Sequence, residues 1–214
     1  MFQAILMSIN PYWVAKILNG EKTIEVRRKF PKDYRGWVYI YCTKSNKYEC
    51  LEYADNPDKE KEGMWVVTRG YPYANGKIVA RFKVGNVENI LNEKTKIDKA
   101  TFYYLESEKD KEFAWRFGGQ MTLCKLSGMD NYFQLHNYLN GEVGFAIHIS
   151  QLEVFDPLLE LNNDMFMKRG FNDYYYSDHS KEGYLTWANK CESYKLVRPP
   201  QSYEMIEVYE NETK

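Results

Sequence analysis

The first 28 residues hold the pattern that most restricts the fold: an apolar strand, a capped helix and a second strand in close succession. Residues 3–9 form a short apolar run that predicts a buried strand. Asn10 suits a helix N-cap, and Pro11 suits the first helical turn, where its missing N–H leaves no donor unpaired. Gly20 then permits the left-handed conformation that ends a helix. The chain is therefore expected to mix helices and strands from its start.

Alternating or continuous apolar residues predict the rest of a sheet. Further strands are expected at residues 23–28, 37–43, 76–84, 144–155 and 202–209. A second helix is expected from Asp130, as N-cap, to Gly141, and helical turns are expected at 100–105 and 111–117. Strands separated by turns, with a few short helices, indicate an α+β fold whose largely antiparallel mixed sheet curls into a barrel.

Charge is balanced overall but unevenly distributed along the chain. The 214 residues suit a single domain at 1–214, and the polar stretches 44–63 and 161–195 are predicted to be insertions. Lys and Arg total 29 against 30 Asp and Glu, which excludes a broad basic coat for nucleic acid. Residues 1–40 nevertheless hold seven basic and three acidic side chains, whereas residues 149–214 hold seven and twelve. A local basic surface for a small anionic partner remains compatible with this distribution.

The cysteines and the hydropathy pattern set the expected environment. Cys42, Cys50, Cys124 and Cys191 form no C-x-x-C pair, so neither a metal site nor a cofactor is expected. No apolar run approaches the length of a membrane span, and the first residues lack the basic start of a secretory signal. We therefore expect a cytoplasmic protein that does not bind membranes.

Three other positions with aromatic or imidazole side chains are given structural roles. Trp13 lies on the apolar face of the first helix and is predicted to be core. His148 lies within a predicted strand and is expected to be a hydrogen-bonded structural imidazole. Residues 174–179, Tyr-Tyr-Tyr-Ser-Asp-His, are expected to pack within a loop, although a stacking rim is the alternative.

The densest functional pattern lies between the first helix and the next strand. Lys22 leaves a helix-to-strand turn, from which its side chain can reach into a cavity. Glu25 and Arg27 are two residues apart on a strand, so they share a face with Cα atoms roughly 7 Å apart. A carboxylate and a guanidinium so placed can bind a planar base or a phosphate. The same spacing also describes an ordinary surface salt bridge, worth about 1 kcal/mol at most.

These residues belong to a longer run that resembles a known family. Residues 17–27, Ile-Leu-Asn-Gly-Glu-Lys-Thr-Ile-Glu-Val-Arg, resemble the opening of ASCH domains, whose hallmark is G-x-K-x-x-E-x-R. The resemblance continues at 38–43, at 76–82 and at 144–150, which is similar to a late strand of the family. Residues 198–203, Arg-Pro-Pro-Gln-Ser-Tyr, resemble the close of bacterial and phage members.

The resemblance implies a PUA-like curled mixed β-barrel flanked by short helices, with an RNA- or nucleotide-binding cleft beside the first helix. By matching position, the binding residues would be Lys22, Glu25 and Arg27, with Ser8 and Thr43 as weaker additions. Gln201 and Ser202 would close the rim, although a turn led by two prolines into an edge strand explains them as well. The expected partner is RNA or a nucleotide-like ligand.

Two alternatives to a binding module remain open, and whether the protein is an enzyme is left undecided. Some small ASCH proteins are amidohydrolases that use a lysine, a threonine three residues later and a downstream carboxylate. Here Lys22 is the one catalytic candidate, because Glu25 replaces the threonine and residues 125–128 offer no carboxylate, although Thr23 lies nearby. A nucleoside amidohydrolase or a ribonuclease on the same scaffold is the first alternative. The second is an interaction protein that binds a protein partner through its insertions.

Overall fold

The computed structural model describes residues 1–44, 49–54, 63–69, 73–94, 101–108, 119–163, 165–169 and 193–209. The helices are α1 (Pro11–Leu18), α2 (Gly119–Ser127) and α3 (Tyr132–Leu139), with a 3₁₀ turn at Glu106–Glu108. The strands are β1 (Phe2–Ile9), β2 (Ile24–Arg27), β3 (Trp37–Cys42), β4 (Cys50–Ala54), β5 (Met64–Thr68), β6 (Lys77–Lys94), β7 (Thr101–Leu105), β8 (Gly144–Glu160), β9 (Phe166–Lys168) and β10 (Tyr203–Val208).

One mixed sheet of eight strands dominates the α+β fold. Its strand order is β2-β8-β6-β3-β1-β10-β9, and β7 pairs with β6 beside this path. The β1–β3 pair is parallel and the other pairs are antiparallel. Among the described residues no pairing joins β2 to β9, so closure of the sheet into a barrel stays a prediction. The fold class is confirmed as mixed α+β.

Helix α1 forms as the sequence predicts. The Asn10 side chain accepts a hydrogen bond from the backbone N–H of Tyr12 at 2.9 Å, and Pro11 occupies the first helical position. Gly20 takes a φ of 76°, which favours glycine at the helix end. The helix buries Val14 and Ile17 against the largest hydrophobic cluster of the sheet. This packing fixes the position from which the chain turns into β2.

The small two-stranded sheet of β4 and β5 contacts α1. The side-chain amide of Asn19 donates to the backbone carbonyl of Trp65 at 2.8 Å and accepts from its N–H at 2.9 Å. Strand β4 lies inside the predicted insertion 44–63, of which residues 45–48 and 55–62 lie outside the described part. The predicted insertion 161–195 contains β9, and its residues 164 and 170–192 also lie outside the described part.

Several predicted boundaries need correction. Residues 101–105 are not helical but form β7, in which Thr101, Tyr103 and Leu105 alternate as buried residues against β6. The other predicted turn, 111–117, lies outside the described residues. The N-cap of α3 is Asn131 and not Asp130, because the Asn131 side chain accepts from the Gln134 N–H at 3.2 Å. Asp130 is instead engaged by α1.

The two longest strands extend well beyond their predicted ends. Strand β6 continues to Lys94 and β8 continues to Glu160. Three register shifts interrupt their pairing, so the alternation of apolar residues is reset along each strand and the sequence pattern fades before the strand ends. Among the described residues, no helix is both long and apolar enough to span a membrane.

Candidate functional site

Lys22 is held inside the protein by the turn between α1 and β2. Its backbone N–H donates to the Lys16 carbonyl at 3.0 Å. Its ammonium donates to the Ser127 carbonyl at 2.8 Å and lies 3.2 Å from Oε2 of Glu25, while the residue is only 3% exposed. Burial lowers the pKa of Lys22 below its usual value, against the opposing attraction of Glu25. A cation so buried requires anionic partners.

Glu25 and Arg27 share one face of β2, as the period-two spacing predicts. Arg27 Nε lies 2.8 Å from Glu25 Oε1, although among the described residues its N–H has no aligned acceptor. The Arg27 guanidinium also donates to the Ser8 carbonyl at 2.9 Å and to the Ser202 hydroxyl at 3.1 Å. Both residues are buried. Lys22, Glu25 and Arg27, called the charged triad below, therefore place two cations on one carboxylate.

The charged triad lines a cavity of about 520 Å³, called the triad cavity below. Trp13 of α1 forms part of its wall, and Lys22 Nζ lies 5.3 Å from the centroid of the Trp13 ring. The prediction that Trp13 is core is therefore incomplete, because its half-buried ring packs against the hydrophobic cluster and also faces this cavity. The cavity combines buried charge with an aromatic surface.

Helix α3 supplies a polar wall that the sequence analysis missed. Gln134, Asn137 and Tyr138 line the triad cavity together with Met129, just before the helix. Their spacing of three and four residues puts them on one helical face, which was visible in the sequence. Nothing local links that face to Lys22, since their proximity depends on the packing of α3 beside β2.

Hydrogen bonds and an ion pair between α1 and the loop before α3 hold this wall in place. Lys16 Nζ donates to the Gly128 carbonyl at 2.6 Å and forms an ion pair with Asp130 at 3.0 Å, while the Tyr12 hydroxyl donates to Asp130 at 3.0 Å. The hydrogen bond from Lys16, followed by those from Tyr12 and Gln134, lowers the pKa of Asp130. The carboxylate thus ties together both helices that border the cavity.

Ser8 and Ser202 join the site through the segment 199–202, called the proline strap below. The Ser8 N–H donates to the Ser202 carbonyl at 2.9 Å, and the Ser8 hydroxyl donates to the Pro200 carbonyl at 2.6 Å. Ser8 lines the triad cavity, whereas Ser202 reaches it by accepting from Arg27. The strap is therefore anchored to the charged triad.

Thr43 and Gln201 are not brought to the charged triad. They line a second cavity of about 690 Å³, called the proline cavity below, whose wall also includes Ser8, Tyr41, Asn162 and Pro200. Ser8 alone among the seven predicted site residues lines both cavities. The predicted site thus divides into two neighbouring cavities that meet at Ser8 and the proline strap.

Thr23 does not take the place that hydrolysis by the amidohydrolase scheme requires. Its side chain is exposed, lies 3.5 Å from the Leu126 carbonyl and is not part of the triad cavity wall. Thr23 precedes the first residue of β2, so its hydroxyl does not take the place of the missing threonine in the cavity. Of the described residues, Lys22 is thus the one member of that scheme on the cavity wall.

His148 and Glu88, which lie outside both cavities, are partners of each other. His148 Nε2 lies 2.6 Å from Glu88, in agreement with a hydrogen-bonded imidazole. Burial would raise the pKa of Glu88, but hydrogen bonds from Ser107 and His148 outweigh it and lower the pKa.

In the described ranges no group of three or more His, Cys, Asp or Glu residues could hold a metal ion. Residues 174–179 lie outside the described part.

The chain matches the model of a protein family and resembles solved structures of low sequence identity. The model of the ASCH domain family matches residues 7–122. The crystal structure of ASCH from Zymomonas mobilis is similar with 14% identity and a TM-score of 0.45, covering 98% of this chain and 89% of that chain. A tyrosine-to-phenylalanine mutant of that protein is similar with 14% identity and a TM-score of 0.43, covering 94% of this chain and 87% of that chain. No curated protein matches the chain. The family match includes the charged triad and ends within α2.

Proposed function

Because the chain belongs to the ASCH domain family, we propose that it binds RNA or a nucleotide-like ligand in the triad cavity. The observation that carries this proposal is the buried charged triad on the wall of an open cavity. Two cations beside one carboxylate leave a net charge of one positive unit when Lys22 is protonated, and burial makes an unneutralised charge unfavourable. A phosphate would supply the missing negative charge, and the acceptor atoms of a base edge would supply partial negative charge.

The rest of the cavity suits the other parts of a nucleotide. Its volume of about 520 Å³ falls within the range of roughly 300 to 1,000 Å³ that is usual for small-molecule sites. Trp13 and Tyr138 offer aromatic surfaces on which a base can stack, as is common in recognition of unpaired RNA. Gln134 and Asn137 offer amides that can donate to and accept from a base edge.

Each member of the charged triad then has a role. Lys22 and Arg27 engage phosphate or the acceptors of a base, and Arg27 Nε–H is a buried donor on the cavity wall that lacks an aligned acceptor in the described part of the chain. Glu25 accepts from the exocyclic amine of a base. Replacing Glu25 by Gln should therefore weaken discrimination between bases more than it weakens the salt-dependent part of the affinity.

The overall architecture belongs to the same proposal. We take residues 1–214 as a single PUA-like domain in which the sheet curls toward a barrel, with insertions near 44–63 and 161–195. The sheet carries β2 at one edge, beside α1, and this places the triad cavity between the sheet and the helices. A ligand would approach through that side of the fold.

The test is direct binding by calorimetry to the four ribonucleoside 5′-monophosphates and to short single-stranded RNA. Lys22→Met should weaken the binding that the natural chain shows roughly 10- to 100-fold, because a hydrogen bond to a charged group contributes about 1.5 to 3 kcal/mol. Lys29→Met is the matched control, since Lys29 is exposed and lies outside the cavity wall. Unchanged binding after Lys22, Glu25 and Arg27 are all replaced by Ala in a folded variant would refute the cavity assignment.

A second candidate function, a nucleoside amidohydrolase or ribonuclease, is favoured by one observation. Burial lowers the pKa of Lys22, and a neutral amine can accept a proton as a general base. Incubation with N4-acylated cytidines and with RNA, followed by chromatography, tests it. Product that forms with the natural chain and with Lys29→Met but not with Lys22→Met would support catalysis, and absence of product with the natural chain would leave a binding protein.

A further inference from the structure

The proline cavity is larger than the triad cavity and shares a wall residue with it. Ser8 lines both, and its hydroxyl and N–H hold the proline strap by hydrogen bonds of 2.6 and 2.9 Å. The strap is therefore the partition between the two cavities. Gln201 and Ser202 are exposed, so the outer surface of this partition is open to a chain that crosses it.

The chemistry of the proline cavity differs from that of the triad cavity. Its two charged lining residues, Lys44 and Glu160, are exposed, and Glu160 lies 3.6 Å from Lys77. Its buried polar residues are Ser8 and Tyr41. Burial raises the pKa of the Tyr41 phenol, so neither hydroxyl is charged at neutral pH. Among the described residues of its wall, no buried charge is present that would select a phosphate.

The wall of the proline cavity contains both apolar and polar groups, a combination that fits a nucleoside. Pro199, Pro200 and Leu161 present flat or branched apolar surfaces that can cover the faces of a base. Asn162 and Gln201 add amides, each of which can both donate and accept hydrogen bonds at a base edge or a ribose hydroxyl.

We infer that the proline cavity is a subsite for the neighbouring nucleoside of a single strand whose phosphate and first base occupy the triad cavity. This inference rests on the proposed function and names its substrate class: a strand of at least two nucleotides. The strand crosses the proline strap over Gln201 and Ser202. A base must leave a duplex to enter either cavity, which selects unpaired RNA.

Linking two moieties that bind adjacent subsites makes the second contact intramolecular, so a dinucleotide should bind more tightly than either half. The probes are the four ribonucleoside 5′-monophosphates and the four homodinucleotides with a 5′-phosphate, measured by calorimetry. We expect the best dinucleotide to bind at least about tenfold more tightly than its monophosphate, which corresponds to about 1.4 kcal/mol.

The discriminating variant is the double substitution Asn162→Ala with Gln201→Ala, since both side chains are on the wall of the proline cavity alone. It should remove most of the dinucleotide advantage and change monophosphate binding less than about twofold, a difference below 0.5 kcal/mol. Gln3→Ala is the matched control, because Gln3 is exposed and borders neither cavity.

The outcomes separate this inference from the proposed function. A dinucleotide advantage that is lost in the double variant and kept in Gln3→Ala supports the subsite. Monophosphate binding that depends on Lys22, combined with no dinucleotide advantage or with one that survives the double variant, overturns the subsite and leaves the proposed function intact. Absence of binding to every probe overturns the proposed function and the subsite with it.

Discussion

The triad cavity and the proline cavity meet at Ser8, yet they are built in opposite ways. The triad cavity is lined by three buried charged side chains that neutralise one another incompletely, whereas the charged residues of the proline cavity are exposed. Buried ion clusters usually contribute less to stability than well-packed apolar residues would. In the proposed function, the charged triad would therefore anchor the anion, and the proline cavity would hold a neutral moiety by shape and hydrogen bonds.

Neutralising one carboxylate in each cavity is the strongest test of this difference in buried charge. Glu25→Gln leaves Lys22 and Arg27 as buried cations without a counter-charge, so the free energy of unfolding should fall by about 3 to 5 kcal/mol. Glu160→Gln removes an exposed partner of Lys77 and should change the free energy of unfolding by less than about 1 kcal/mol. Urea unfolding followed by circular dichroism measures both. Equal effects would show that the charged triad is not buried as described.

The proline strap, which separates the two cavities, can be tested through its hydrogen bond with Ser8. Ser8→Ala removes the 2.6 Å bond to the Pro200 carbonyl and should lower the free energy of unfolding by about 1 kcal/mol. Ser150→Ala is the control, because Ser150 donates to the Lys83 carbonyl at 2.8 Å at an exposed position, where water can replace the serine. Urea unfolding of the two variants gives the comparison. A loss in Ser8→Ala no larger than in Ser150→Ala would mean that the strap is not held by this bond.

The sequence predicted those features of the site that depend only on residues close together in the chain. The caps of α1 and the shared face of Glu25 and Arg27 follow from helical and strand geometry within a few residues. The contribution of α3 could not be predicted, because the amphipathic face of a helix does not identify the surface on which it packs. The division of the predicted residues into two cavities depends on the bond between Ser8 and Pro200, which are 192 positions apart.

The same limit explains the errors in the fold. Strand β7 was predicted as helical because its alternation covers only five residues, and its burial comes from pairing with β6. The register shifts between β6 and β8 hid the true ends of both strands from a pattern analysis. Local signals thus gave the fold class and the charged triad, whereas long-range packing decided the shape of the cavities.

Salt dependence should separate the cavities when a homodinucleotide 5′-phosphate is bound. Each phosphate contact on a single strand contributes a slope of about −0.7 in log affinity against log salt, and we expect a shallow total because few phosphates are neutralised. Lys22→Met should make the slope about 0.7 less negative, whereas Lys44→Met, at the proline cavity, should leave it unchanged. Calorimetry between 50 and about 200 mM salt measures the slopes. A steep slope in the natural chain, or a change with Lys44→Met alone, would contradict the anchoring role of the charged triad.

The pH dependence of stability offers the finest test of the charged triad. Burial lowers the pKa of Lys22 in the folded protein, so between that lowered value and the ordinary value of 10.5 the unfolded chain binds more protons at this residue. The contribution of Lys22 to the free energy of unfolding must then rise with pH across this window. The difference in unfolding free energy between the natural chain and Lys22→Met isolates it, since titrations common to both cancel. We expect this difference to move in favour of the natural chain as the pH rises toward 10.5, in urea unfolding series at fixed salt. A difference that stays constant would show that Lys22 titrates as an exposed lysine does and that the triad cavity is open to water at its base.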